Sequence, residues 1–175
     1  MESLYRWIVP AAAAGFLLAV VWHVGAWARL PFAEMDGAMS ALFVGIFVVW
    51  FPTAFRMRRI GSRMQSWNGL WVALEGAPDW MRYGAVGLLI YTIVNFFTAT
   101  GFGTGDAGPD SYEMARGFSG HTVFFYGMAV ALNHAQDRRD ALGLWRCSAG
   151  HDVGPSANFC ETCGVPVNGG KRQAS

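Results

Sequence analysis

Four residues with the chemistry of soft-metal ligands lie close together near the end of the sequence: Cys147, His151, Cys160 and Cys163. All three cysteines of the chain are among them. Zinc takes four ligands in a tetrahedron, and three cysteines with one histidine are a common structural set. Four protein ligands leave no open position for water, so such a site would be structural and not catalytic. The spacing therefore predicts a zinc-binding tail over residues 147–164, and the sequence offers no candidate catalytic residue.

Glycines stand beside the predicted ligands. Gly164 directly follows Cys163, and Gly150 directly precedes His151. Glycine allows the tight turns that bring backbone amides toward ligand sulfurs. The residues after Cys147 include too few apolar side chains to fold around a core of their own. A bound metal would therefore supply the folding free energy of this tail.

Two short stretches of the tail resemble a zinc ribbon of the kind that many bacterial proteins carry at one end. They read CSAGH at 147–151 and FCETCG at 159–164. The commoner ribbon has two cysteines in its first half, and His151 stands here in place of one of them. The resemblance implies a small rigid module that contacts a partner protein.

The rest of the sequence predicts an all-α membrane protein. Of its residues 53% are hydrophobic and only 14% are charged. Apolar runs long enough to cross a bilayer must be helices, because only helices satisfy their own backbone polar groups in lipid. We expect a four-transmembrane-helix bundle at residues 1–137 and a tail at 138–175. The predicted spans are 7–28, 38–55, 83–102 and 118–135, and the fourth is the least apolar.

The distribution of basic residues predicts the orientation. Of the 13 lysines and arginines, 11 are expected on the side that carries both termini. The two exceptions are Arg29 and Arg116. The positive-inside rule then places both termini in the cytoplasm and the protein in a bacterial inner membrane. Thiols stay reduced there, which disfavours a disulfide between Cys160 and Cys163. A redox dithiol is normally found at a strand–helix junction, and a third alternative is that the cysteines bind nothing.

The loop between the second and third predicted spans combines basic and apolar residues. Its apolar residues recur every three or four positions, which predicts an amphipathic helix over residues 62–75 on the inner leaflet: Met64, Trp67, Trp71, Leu74. The alternative is a basic loop that only follows the orientation rule. Asp79, after Pro78, is the expected N-cap of the third span.

Polar residues at membrane depth form a second candidate site. His23, Asn95 and His121 are each expected in the outer third of the bilayer, close to Arg116, while Asn133 is expected at the inner headgroups. Ionisable groups at such depth mark candidate functional positions. His23 and His121 could hold haem b, share a proton, or bind a metal with an added carboxylate; the alternative is hydrogen bonding between helices.

Small residues predict which helix faces pack together. One face of the first span carries small residues around His23: Ala12, Gly15, Ala19, Ala26. The third span has a comparable predicted face: Gly84, Gly87, Tyr91, Asn95, Thr98.

The sequence indicates a membrane protein but no reaction or substrate. The net charge of +1 favours no nucleic-acid partner. The segment RGFSGH at 116–121, followed by Phe125 and Tyr126, resembles a recurrent segment of small uncharacterised bacterial multi-span membrane proteins, and that resemblance implies no activity. We expect the zinc ribbon to dock a cytoplasmic protein or a second copy of the chain. The alternatives are a haem-binding or proton-handling protein and a small transporter or channel subunit.

Overall fold

The computed structural model describes residues 2–34, 37–57, 69–100, 108–143, 145–147, 149, 151–154 and 157–166. Most of them are helical, as the sequence predicts. The helices are α1 (Glu2–Trp27), α2 (Gly37–Met57), α3 (Gly69–Ala73), α4 (Asp79–Ala99) and α5 (Ser111–Ala141), with a short 3₁₀ turn at Pro31–Ala33. Two short strands, β1 (Trp145–Arg146) and β2 (Asp152–Val153), pair antiparallel in the tail.

The longest helix, α5, lies at the centre of the bundle. It packs most extensively against α1, then against α4 and α2. Its buried positions include many small or weakly polar residues, which let the neighbouring helices approach closely. A Cβ at Gly117 would lie 3.3 Å from the Cβ of Ala99 on α4, so this crossing has little room for a larger residue.

The predicted small-residue face of α1 is confirmed. Ala12, Ala19, Ala26 and His23 are all buried. Gly15 is buried too, and a Cβ there would collide with the ring of Tyr126 on α5. This face therefore forms the contact between α1 and α5.

The predicted face of α4 is right at Asn95 and Tyr91, which contact neighbouring helices, and wrong at its other three residues. Gly84 and Gly87 have no neighbouring atoms within 4 Å of the position a Cβ would occupy, and Thr98 is exposed. The buried stripe of α4 instead comprises Ala85, Thr92, Asn95 and Ala99. The reason is hydrogen bonding to α5: Thr92 donates to the carbonyl of Gly120 at 3.1 Å, and Asn95 donates to the carbonyl of Arg116 at 2.9 Å.

Many large apolar side chains lie on the outside of the bundle, while alanines and glycines provide much of its interior. The exposed set comes from three helices: Leu17, Val21 and Val24 on α1, Phe47, Val48 and Phe51 on α2, Ile90, Val94 and Phe97 on α4. On each helix most of these residues are three or four positions apart and share one face, and exposed apolar faces of this kind are unusual on soluble monomers. Helices packed in lipid show this arrangement, because burying apolar side chains gives no advantage there.

Two helices are long and apolar enough to span a membrane: residues Trp7–Trp27 of α1, and α2. Neither α4 nor α5 meets the same measure of length, hydropathy and charge. The four-span topology remains a prediction.

The third and fourth predicted spans differ from α4 and α5 at their ends. α4 begins at Asp79, whose side chain makes no capping hydrogen bond; Pro78 occupies the N-cap position, so the predicted Asp79 cap is wrong. α5 begins at Ser111, well before residue 118, because Asp110 and Glu113 form a capping box. The Asp110 carboxylate accepts from the backbone N–H of Glu113 at 2.8 Å, and the Glu113 carboxylate accepts from that of Asp110 at 3.0 Å.

The predicted interfacial helix over 62–75 lies partly outside the described residues, which resume at Gly69. Within them only the five residues of α3 are helical. The chain then turns at Gly76, whose φ of +94° is in the left-handed region that favours glycine. Arg139 of α5 holds this turn by donating to the carbonyl of Val72 at 2.9 Å and to Glu75 at 3.2 Å.

A polar network joins α2 to α5 where α2 ends. The Arg56 guanidinium lies 2.6 Å from Asp137 and 2.8 Å from Asp140, and it also donates to Asn133. Asn133 is fully buried and donates to the Thr53 hydroxyl at 2.8 Å. Asn133 therefore hydrogen-bonds inside the bundle, and its expected depth at the inner headgroups stays a prediction.

Candidate metal centre and buried polar cluster

The first half of the candidate metal centre follows the β1–β2 hairpin. Trp145 pairs with Val153 and Arg146 with Asp152. The backbone N–H of Cys147 then donates to the carbonyl of His151 at 3.0 Å. This ladder places the Cys147 Sγ 3.6 Å from the His151 Nδ1.

The second half is a tight turn through Cys160 and Cys163. The N–H of Gly164 donates to the carbonyl of Cys160 at 2.8 Å, and the N–H of Cys160 donates to the carbonyl of Val165 at 3.0 Å. Gly164 has a φ of +68°, as expected for a glycine that closes such a turn. Gly150, the other predicted turn glycine, lies outside the described residues.

The two halves bring all four predicted ligands together. One ligand atom from each of Cys147, His151, Cys160 and Cys163 lies within 4.8 Å of every other. The Sγ atoms of Cys147 and Cys163 are 3.7 Å apart, and the three cysteines are free thiols. The side chains of Cys147 and Cys160 are buried together with Val153.

These spacings fit a tetrahedral zinc ion. Zn–S bonds of about 2.3 Å and Zn–N bonds of about 2.0–2.1 Å imply S···S edges of about 3.8 Å and S···N edges of about 3.6 Å in a tetrahedron. The observed Cys147–Cys163 and Cys147–His151 distances are 3.7 and 3.6 Å. The group can therefore bind a metal ion such as zinc.

Backbone amides prepare one of these thiols for ligation. Burial raises the pKa of the Cys160 thiol, but the backbone N–H groups of Cys163 and Thr162 bond to its sulfur and outweigh that effect, so its pKa is about 7. The thiolate is the form that binds metal. The turn that positions Cys160 thus also favours its ligating form.

The second candidate site is a polar cluster where α1, α4 and α5 meet, with His23 and Ser119 buried and Tyr91 and Trp27 partly exposed. His23 Nδ1 lies 2.8 Å from the Ser119 hydroxyl, and His23 Nε2 contacts the Tyr91 hydroxyl. The Trp27 indole N–H donates toward both His23 Nε2, at 3.2 Å, and the Tyr91 hydroxyl, at 3.1 Å. Ser119 donates in turn to the carbonyl of Arg116 at 3.2 Å.

The chain of hydrogen bonds begins at the Trp27 indole and ends at the Arg116 carbonyl, and these two groups set its direction. An indole N–H can only donate, and a carbonyl oxygen can only accept. Ser119 gives its single proton to the Arg116 carbonyl, so it accepts from His23 Nδ1–H. The single lone pair of Nε2 then faces two donors, the Tyr91 hydroxyl and the Trp27 indole N–H. Both ring nitrogens are occupied by the protein itself.

Two further predicted site residues belong to this cluster. Asn95 Nδ2 shares the Arg116 carbonyl with Ser119. The Arg116 guanidinium lies over the Trp27 ring, 4.3 Å from its centre. Gly120 keeps the cluster compact, because a Cβ there would lie 2.6 Å from Asn95 Nδ2 and 3.5 Å from the His23 ring.

His121 has other contacts. Its Nδ1 donates to the carbonyl of Gly117 on its own helix at 3.0 Å, and its ring packs edge-to-face on Phe96. Haem ligation by His23 would require its ring to leave Tyr91 and Trp27. The described contacts therefore favour hydrogen bonding between helices over a shared haem.

Sequence reasoning did not anticipate the roles of Tyr91 and Trp27 in this cluster. Trp27 stands four residues after His23, which places both on one face of α1. That spacing could have indicated the contact, whereas the Tyr91 contact depends on how α4 is rotated.

Comparison with known proteins adds no relative: no protein-family model, no curated protein and no solved structure matches the chain.

Proposed function

We propose that this chain is a multi-span inner-membrane protein whose C-terminal module binds structural zinc and docks a cytoplasmic protein or a second copy of the chain. The observation that carries the proposal is the convergence of four ligand atoms within 4.8 Å of one another, with the Cys147–Cys163 and Cys147–His151 distances at tetrahedral values. Four protein ligands complete the coordination of zinc, which is typical of a structural site.

The position of α5 supports the proposal of four spans. A transmembrane helix surrounded by other helices contacts little lipid and tolerates polar residues. Three buried polar groups of α5 are satisfied inside the bundle: Ser119 contacts His23 of α1, Asn133 contacts Thr53 of α2, and Thr122 donates to the carbonyl of Phe118 on α5 itself. The low apolarity of α5 thus agrees with a central position in a membrane bundle.

The surface beside the metal centre offers one apolar contact point. Phe159 is 60% exposed and directly precedes the ligand Cys160. Its backbone is held by a bridge to Pro166, so the ring is presented from an ordered position. An exposed aromatic ring on a small rigid support is a typical anchor of a protein interface.

Metal analysis and topology mapping test the proposal. We expect about one zinc per chain in protein purified without chelator, in accordance with one four-ligand site. A fluorescent reporter fused after Ser175 should be active in the cytoplasm, and an alkaline phosphatase fused there should be inactive. Zinc below half an atom per chain, or an active phosphatase fusion, would contradict the proposal.

Crosslinking tests the docking role. A photocrosslinker at Phe159 should capture one defined protein or a second copy of the chain, and Cys160→Ser should abolish that product. The same crosslinker at exposed Val48 of α2 serves as the control. A Phe159 product that persists in Cys160→Ser would separate docking from the metal centre.

A further inference from the structure

An apolar groove opens between α2 and α4 near the end of the bundle where α2 ends. It encloses about 570 Å³. Trp50 and Ala54 of α2 form one wall, Leu89 of α4 the other, and Phe124 and Met128 of α5 the floor. α3 closes the groove at its end with Leu70 and Ala73.

The lining of the groove provides almost no hydrogen-bonding groups. The one polar atom among its side chains, the Trp50 indole N–H, already donates to the carbonyl of Phe125 at 2.9 Å. A ligand inside the groove must therefore be apolar along its length. The volume is within the range of small-molecule sites.

Arg82 is not part of the groove lining, but two neighbouring positions in the chain place it near the α3–α4 side of the groove. Arg82 lies two helical turns before Leu89 and on the same face of α4, with buried Ala85 between them. Its guanidinium lies 5.0 Å from the centre of the Trp71 ring, next to the groove residue Leu70. Arg82 forms an ion pair with Asp79 at 3.3 Å, and the side chain of Asp79 is 81% exposed.

Arg82 retains unused hydrogen-bonding capacity. Its Nε is buried and has no hydrogen-bond partner in the described part of the chain. Guanidinium groups bind phosphate oxygens through two N–H donors at once, and stacking on an aromatic ring leaves those donors free. An apolar channel with such a group at its edge matches an amphiphile with a negatively charged head.

We propose that the groove binds one acyl chain of an anionic phospholipid, whose phosphate-containing headgroup pairs with Arg82. The inference rests on the proposed membrane location, because a phospholipid reaches the groove from the bilayer. It goes beyond a general lipid annulus in two respects: the groove selects one chain position, and Arg82 selects the charge of the headgroup.

Native mass spectrometry of the full-length, delipidated protein in detergent tests this proposal. Dioleoylphosphatidylglycerol and dioleoylphosphatidylethanolamine are titrated separately. We expect the first phosphatidylglycerol to bind several-fold more tightly than the first phosphatidylethanolamine. Arg82→Gln should reduce that preference about five-fold, the effect of removing one basic residue from an anionic lipid surface.

Filling the groove should remove the site itself. Ala54 is exposed and lines the groove, so Ala54→Trp should occupy the space without crowding the core of the bundle. We expect Ala54→Trp to weaken the binding of the first phosphatidylglycerol molecule at least ten-fold. Val48→Trp, six residues earlier on α2 and outside the groove, is the matched control and should bind as the unmodified protein does.

Equal binding of the two lipids, or unchanged binding in Ala54→Trp, would overturn the proposal. Unchanged binding in Ala54→Trp is also the result expected if detergent or residues 58–68 of this chain fill the groove. The same spectra show whether zinc is bound, so they distinguish a failure of the proposed function from a failure of the lipid inference. Protein that lacks zinc but shows groove-dependent lipid binding contradicts only the proposed function, whereas zinc-loaded protein without it contradicts only this inference.

Discussion

Cys160→Ser should release the metal and unfold the tail while leaving the helices intact. Cys160 is 1% exposed and is one of four converging ligands. In the described tail, the large aliphatic side chain buried with the ligands is Val153. Full burial of such a side chain contributes about 1.5–3 kcal/mol. Structural zinc contributes about 10–16 kcal/mol in zinc-finger peptides. A bound zinc ion would therefore dominate the folding of this module, and the loss of one thiolate should be decisive.

Limited trypsinolysis combined with zinc analysis measures this effect. Arg146 is paired with Asp152 in the β1–β2 hairpin, so cleavage after Arg146 reports opening of the tail. We expect zinc to fall from about one per chain to near zero, and the cleavage rate to rise at least a hundred-fold. That factor needs only about 2.7 kcal/mol of lost protection, a fraction of the zinc contribution, if cleavage follows the population of the open form.

Glu161→Gln provides the control, because Glu161 is exposed and lies between two ligands without being one. It should keep the zinc and the slow cleavage. Far-ultraviolet circular dichroism should stay nearly constant in both variants, since the helices lie outside the tail. The reasoning would be refuted if Cys160→Ser retained one zinc, or if removing zinc from the unmodified protein left cleavage after Arg146 unchanged.

Three further predictions concern the helices. Gly120→Ala should lower the stability of the detergent-solubilised protein by about 1–3 kcal/mol, because the added Cβ would lie 2.6 Å from Asn95 Nδ2; unchanged denaturant unfolding would contradict that close contact. Asn133→Ala should cost less, about 0.6–1.7 kcal/mol, the range for hydrogen bonds between membrane helices, and the same unfolding assay compares the two. The pKa of Asp110 lies below its usual value of 3.8, because its carboxylate accepts from the N–H of Glu113 and is attracted by the charge of Arg29. The capping contribution of Asp110 to stability is therefore fully present above pH 3.8 and is lost as the pH falls through the lower pKa of the folded state. Hydrogen exchange at the first turn of α5 should accordingly gain protection between acid and neutral pH, and Asp110→Asn should remove that dependence.

The metal centre was predictable from the sequence because its information is local. Four ligands within a short stretch, with Gly164 after the last of them, define both halves of the site. Their convergence needs only a hairpin and a tight turn, which local hydrogen bonds build. The small-residue face of α1 was predictable for a similar reason, since Ala12 and Ala19 repeat at helical spacing on a helix with one packed side.

The face of α4 could not be predicted in the same way. Small residues are compatible both with a helix contact and with lipid, so Gly84 and Gly87 do not fix the rotation of the helix. Thr92 and Asn95 fix it instead, through carbonyl groups of α5 that the sequence does not reveal as acceptors. The capping box of α5 could have been found in the sequence, because an aspartate three residues before a glutamate is a recognised helix start, but the predicted span began only at residue 118.

The basic residues at the end of the bundle have two separable roles. The orientation rule explains a surplus of positive charge on one side, but it requires no particular partner for any residue. Arg56 nevertheless bridges Asp137 and Asp140, with its side chain only 14% exposed, and Arg139 is nearly buried against the turn after α3. These two arginines therefore connect α2 and the α3 segment to the central helix. Arg82 differs from both in exposure, because 30% of its side chain is accessible, against 14% for Arg56 and 4% for Arg139. Of these three arginines, Arg82 is thus the one that a lipid headgroup can reach most readily.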